Sequence, residues 1–199
     1  GGTAYSSREA AQAQLKMSAN KPVTLDEATS FSGTMKDLAS SKFNKADALL
    51  QEADTIRQFN PERARELEAQ AQLYESQGSK YVERLDQVNN NLRQQNGLPP
   101  NARDITGLEE AVDTINVAGR GAATKTEAAI VKGLRKQALQ KATENLINSL
   151  NDIAKTDPAK ASKIAKAIAK ELSTLPPAKQ GSMIQQLENT FGARATKEI

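Results

Sequence analysis

Between Pro61 and Gln95, small or apolar residues recur at alternating steps of three and four: Ala64, Leu67, Ala71, Tyr74, Gly78, Tyr81, Leu85, Val88 and Leu92. Glu, Arg, Gln, Asn and Ser fill almost every position between them. This spacing is the heptad signature of a helix that lies along another helix. The stripe is narrow, so the segment reads as a polar rod with one seam rather than a helix sunk in a core. At 1.5 Å per residue the rod spans on the order of 50 Å. Any fold of this chain has to give that seam a partner.

The rest of the sequence supplies further helices and no stretch that alternates like a sheet strand. Ser6 with Glu9 forms a capping box that predicts a short Ala-rich helix over residues 4–17. Thr24 with Glu27 forms another, and Leu25, Ala28, Phe31, Met35 and Leu38 follow at helical spacing, which predicts a helix over 25–40. Asn44 is expected to cap a third helix, over 45–59, whose apolar face is Ala46, Leu49, Leu50, Ala53, Ile56 and Phe59. Asn60-Pro61 ends it, and Pro61 suits the first position of the rod. So short a joint predicts an antiparallel hairpin.

The rod runs out in Asn89-Asn90-Asn91, Asn96-Gly97 and Leu98-Pro99-Pro100, which mark the expected boundary between a first domain, 1–97, and a second, 101–199. The first hundred residues carry 12 basic and 13 acidic groups and the remainder 15 and 11, so the second half is the basic one. Thr106 and Glu109 predict a short helix that Gly119-Arg120-Gly121 stops. Longer helical patterns cover about 123–155 and, after Asp157-Pro158, about 158–175. A last helix carries Met183, Ile184, Leu187 and Phe191.

With 38% hydrophobic and 4% aromatic residues, the available core is aliphatic and thin. The chain has no cysteine and no histidine. This removes disulfides, thiolate metal sites, Cys nucleophiles, Ser-His-Asp arrangements and the commonest general base. No apolar run approaches the roughly 20 residues of a membrane span, and the first thirty residues lack a signal peptide's hydrophobic region, so the chain is expected to be soluble. It begins Gly1-Gly2 rather than with methionine, as expected of a processed product or a segment of something longer.

Three motifs bear on chemistry. Gly119-Arg120-Gly121-Ala122-Ala123-Thr124-Lys125-Thr126 approaches a phosphate-binding loop, but Thr124 stands where glycine must precede the lysine, and no strand leads into it. It reads as a joint between helices. Tyr74-Glu75-Ser76 resembles, over two residues, the Glu-Ser pair of lytic transglycosylases, whose Glu is the general acid on peptidoglycan. The Gly-Leu-Met-Gln segment of that family is absent here. Glu75 is expected on the exposed flank of the rod, with nothing apolar to raise its pKa, and reads as surface charge. Glu62, Glu66 and Glu68, like Glu109-Glu110, read as first-turn residues favoured by the helix dipole.

The most pointed functional signal is basic. Residues 120–170 hold 11 Lys or Arg against four acids. After Pro158, Lys160, Lys163, Lys166 and Lys170 fall on one side of a helix, and Ala161, Ile164, Ala165, Ile168 and Leu172 on the other. Such a helix can pack into a bundle and present lysines to phosphates, or lie on an anionic membrane.

The sequence therefore predicts an all-α protein: a long helical hairpin, or coiled-coil-like arm, followed by a small Ala-rich basic bundle. In style it resembles structural parts of large assemblies, including internal and ejection proteins of phage particles. The expected role is a non-enzymatic assembly component acting through helix-helix interfaces with other subunits. No cofactor, metal or small-molecule substrate is expected. A helix over 45–59 would cover less than half of the rod, so Tyr81, Leu85, Val88 and Leu92 are expected to form the protein interface. The alternatives are a nucleic-acid-associated module using Lys160, Lys163, Lys166 and Lys170 without sequence preference, and a secreted effector that touches membranes.

Overall fold

The computed structural model describes residues 7–100 and 125–196, and among these every regular element is helical. Among the described residues six α-helices follow one another: α1 (Arg8–Ser18), α2 (Leu25–Ile56), α3 (Pro61–Gln95), α4 (Lys125–Thr156), α5 (Ala161–Leu172) and α6 (Pro177–Thr196). The helix expected after Thr106 and the Gly119–Thr126 motif up to Thr124 lie outside the described residues.

Capping chemistry sets the first two starts. Ser7, not Ser6, caps α1, its hydroxyl accepting a hydrogen bond from the Ala10 N–H at 3.2 Å. At α2 the expected box is present in both directions: the Thr24 hydroxyl accepts from the Glu27 N–H at 3.1 Å, and the Glu27 carboxylate accepts from the Thr24 N–H at 2.9 Å. Glu27 also receives the Lys16 ammonium at 2.7 Å, which ties α1 to the start of α2. Burial pushes the Glu27 carboxyl up, but the Lys16 and Thr24 bonds outweigh it and hold the pKa below the ordinary value.

The largest departure from expectation is α2, one helix of 32 residues where two were predicted. Asn44 is no cap; it lies exposed in mid-helix. The reason is that the buried stripe does not break there: Ala28, Phe31, Met35, Ala39, Phe43, Ala46, Leu50 and Ala53 are all buried, at steps of three and four. Phe43 carries the stripe past the polar residues Ser40, Ser41 and Asn44, whose side chains face solvent. At about 48 Å, α2 matches α3, which is about 52 Å long.

The chain forms two compact units, each drawn from several stretches: Gly1–Thr34, Asp86–Ala102 and Gln140–Ile199 in the first, Met35–Leu85 and Arg103–Leu139 in the second. This differs from the expected division at 97–101, because α2, α3 and α4 each supply residues to both.

In the second unit, α2 and α3 run antiparallel with α4 against them. Near the turn, Ala53 packs with Ala64 and Leu67. Further along, Ala46 and Leu50 meet Ala71 and Val131, and then Ala39 and Phe43 meet Val82 and Ala138. In the first unit, the segment from Lys21 to Val23 is held by side chains of α3. Asn91 accepts from the Val23 N–H at 3.1 Å and donates to the Lys21 carbonyl at 3.0 Å, while Gln95 donates to the Val23 carbonyl at 2.7 Å. These amides pair with the extended backbone as a neighbouring strand would. Arg93, at the same end of α3, donates to the Pro99 carbonyl, to Ser149 and to Asp152. On α5, Ile164, Ile168 and Leu172 are buried, and α5 packs against α6.

Candidate functional site

The buried line of α3 departs from the seam expected of it, and the departure creates the chemically most unusual place in the described chain. Ala64, Leu67 and Ala71 are buried as predicted, but the line then runs through Glu75, Gly78, Val82, Leu85, Asn89 and Leu92. Two successive steps of four, from Leu67 to Ala71 to Glu75, shift the register by one residue, as a stutter does in a coiled coil. Tyr74 and Tyr81, which the sequence placed in the seam, are half-buried on its flank. Lys42 and Lys45 lie over the Tyr74 ring at 5.5 and 5.6 Å, and Arg84 over that of Tyr81 at 5.5 Å.

Glu75 is therefore not a surface charge. Its residue exposure is 0%, and its carboxylate faces the guanidinium of Arg135, from α4, which is itself 2% exposed. The other guanidinium nitrogen of Arg135 donates to Asp47 of α2 and, at 3.5 Å, to the Phe43 carbonyl. The Phe43 ring covers the guanidinium, with its centroid 5.5 Å from Cζ. That ring can sit there because residue 78 is glycine: a Cβ at Gly78 would lie well inside contact distance of the Phe43 ring atoms. Burial pushes the Glu75 carboxyl up to about 7, with the Asp47 charge adding to the rise and Arg135 opposing it. Sealed from solvent, Glu75 has no access to a polysaccharide, so the geometry supports an electrostatic role for it and not the acid catalysis of the two-residue resemblance.

Tyr81, Leu85, Val88 and Leu92 were expected to face water for want of a covering helix. Leu85, Val88 and Leu92 are buried by the chain's own fold, and Tyr81 packs against the Phe43–Val82 cluster. The physical reason is the length of α2, more than twice that of the helix expected opposite the rod. A charge placed at Leu85 or Leu92 would damage the fold before it could report on association.

The exposed apolar residues are elsewhere. Phe59, expected on the buried face of a helix, is 84% exposed, because α2 ends at Ile56 and the chain has already turned. The turn is well fixed: the Phe59 and Asn60 N–H groups both donate to the Ile56 carbonyl, and Asn60 caps α3 by accepting from the Arg63 N–H at 3.2 Å. Leu73 on α3 is 65% exposed.

The four predicted lysines are all exposed, opposite the buried face of α5. Lys160 belongs to a 3-10 turn, Pro158–Lys160, that leads into the helix. Its ammonium lies 3.6 Å from Asp157, and that of Lys163 lies 3.6 Å from Asp26. Lys166 and Lys170 have no acidic group within ion-pair distance among the described residues. Also in the first unit, a cleft of about 250 Å³ lies where the segment after α1 meets the end of α3, lined by Lys21, Pro22, Asn91 and Gln94. Asn91 there is already committed to the backbone clamp.

Among the described residues no group of three or more acidic side chains is arranged to hold a metal, and no helix is long and apolar enough to cross a membrane. Comparison with models of protein families, with curated proteins and with solved structures finds no match to this chain.

Proposed function

We propose that the chain is a non-enzymatic structural component of a larger particle, acting through contacts between its helices and those of other subunits, including copies of itself. An internal or ejected protein of a phage virion is the favoured example, and the virion is then its location. The observation that carries this reading is Phe59, a large aromatic held in water at 84% exposure by a hydrogen-bonded turn between two helices of 32 and 35 residues. Burying a phenyl ring contributes about 2–3 kcal/mol, so an exposed one on a rigid tip is a natural association point.

Sedimentation of the intact chain over a wide concentration range tests it. The expected result is self-association that Phe59→Ser weakens by about 30- to 100-fold, with the melting temperature unchanged. A chain that stays monomeric at every concentration, or a variant that associates as the parent does, would sink the proposal.

A second reading, non-specific nucleic-acid binding, is favoured by one observation: Lys166 and Lys170 stand exposed on α5 with no carboxylate to neutralise them among the described residues. In such a complex they would meet phosphates through counterion release.

A further inference from the structure

The cluster of Asp47, Glu75 and Arg135 brings together two carboxylates and one guanidinium from three helices of a single unit. With every group ionised it carries one net negative charge. Asp47 retains partial contact with water, its side chain 23% exposed, whereas Glu75 has none. Both carboxylate oxygens of Glu75 are buried and receive no well-formed hydrogen bond among the described residues; Oε1 has only its ion-pair contact with Arg135. An ionised carboxylate without hydrogen bonds in a dry site is costly, and a single shared guanidinium cannot fully compensate two anions.

We propose that this cluster is a proton-binding site built into the fold: uptake of one proton on Glu75 cancels its net charge and tightens the packing of α4 on the α2–α3 hairpin. Arg135 then remains paired with Asp47 and covered by Phe43, so no buried charge is left alone. The charges that act on Glu75 are those of Arg135 and Asp47; Lys42 and Lys45 of α2 sit over the ring of Tyr74, the residue preceding it. Loss of the proton leaves the site with an uncompensated anion beneath Phe43.

The direction of the linkage follows. Burial holds the Glu75 carboxyl at about 7 in the fold, against 4.5 as the ordinary value. The folded chain therefore binds more protons than the unfolded chain between these two values. The stabilisation is complete below the ordinary value and is lost as pH rises through about 7.

Two measurements on the full chain test the site. Carboxyl carbon NMR of the unmodified protein is expected to show one glutamate titrating near 7; if every glutamate titrates in the ordinary range, the proposal is wrong. Denaturant unfolding from about pH 5 to about pH 8 is expected to show an equilibrium constant that rises by up to about tenfold per pH unit up to about pH 7 and levels off above it. Glu75→Gln, which keeps the shape of the protonated side chain, should abolish that rise. Asp47→Asn should move it to lower pH, because the like charge that helps raise Glu75 is gone. An unchanged slope in Glu75→Gln overturns the proposal, and should that variant fail to fold, the titration of the unmodified chain decides alone.

Discussion

At the scale of single residues, Gly78 and Phe43 fill one space between them. A methyl group at 78 collides with a ring that also lies against the guanidinium of Arg135. Moving the ring disturbs its contact with the guanidinium, which covers a buried ion pair. Gly78→Ala is therefore expected to destabilise the chain by about 1–3 kcal/mol, as overpacking does, despite the better helix propensity of alanine. Gly33 is the control. It too lies inside a helix, but a Cβ there meets nothing, so Gly33→Ala should stabilise by about 0.5–1 kcal/mol. Chemical denaturation of the two variants checks both signs. The sequence shows Gly78 at a seam position but not why it is there, since the ring that requires it lies 35 residues away on another helix. Glu75 was missed for a related reason. A search for apolar recurrence passes over a glutamate and accepts the tyrosines beside the true line, and only Arg135, 60 residues further on, makes burial of that glutamate tolerable.

At the scale of elements, local chemistry was readable and competition between local and distant chemistry was not. Thr24 with Glu27 starts α2 as read, because both halves of a capping box lie within four residues. Asn44 carries the same kind of signal and fails, because a helix already stabilised by Phe31, Met35, Ala39, Phe43 and Ala46 against its neighbours does not stop for a cap. The amphipathic pattern of α5 was also readable, and the structure adds a gradation within its lysines. Lys160 and Lys163 have aspartates near them, whereas Lys166 and Lys170 do not among the described residues. If nucleic acid binds there, changing Lys166 and Lys170 to Gln should lower the slope of log affinity against log salt by up to about 2, and Lys160 with Lys163 by less. Helical circular dichroism should not change, since all four side chains are exposed. Salt-insensitive binding, or binding that survives loss of all four lysines, would remove this face from consideration.

At the scale of the whole molecule, the proline-rich break at Leu98-Pro99-Pro100 looks like a domain boundary and does not act as one in the contacts. The second unit buries Val131, Arg135 and Ala138 from beyond the break against α2 and α3 from before it. Residues 86–102 belong with 140–199 and with the first 34 residues in the other unit, where Arg93 is bonded to Ser149 and Asp152. Cutting at the break would divide both cores at once. A fragment of residues 1–97 keeps the α2–α3 hairpin but loses every α4 side chain that covers it, and it retains Glu75 and Asp47 without Arg135, two carboxylates with no buried cation. Unpaired charges of this kind destabilise by about 3–5 kcal/mol, a large part of the stability of a domain this size. The expected outcome is that fragments 1–97 and 101–199, prepared separately, each lose cooperative thermal unfolding, and that mixing them restores it. Circular dichroism melts of the two fragments and their mixture decide the matter. A fragment 1–97 that melts cooperatively by itself, at the temperature of the intact chain, would mean that the sequence boundary is the true one and that α4 contributes little to the hairpin it covers.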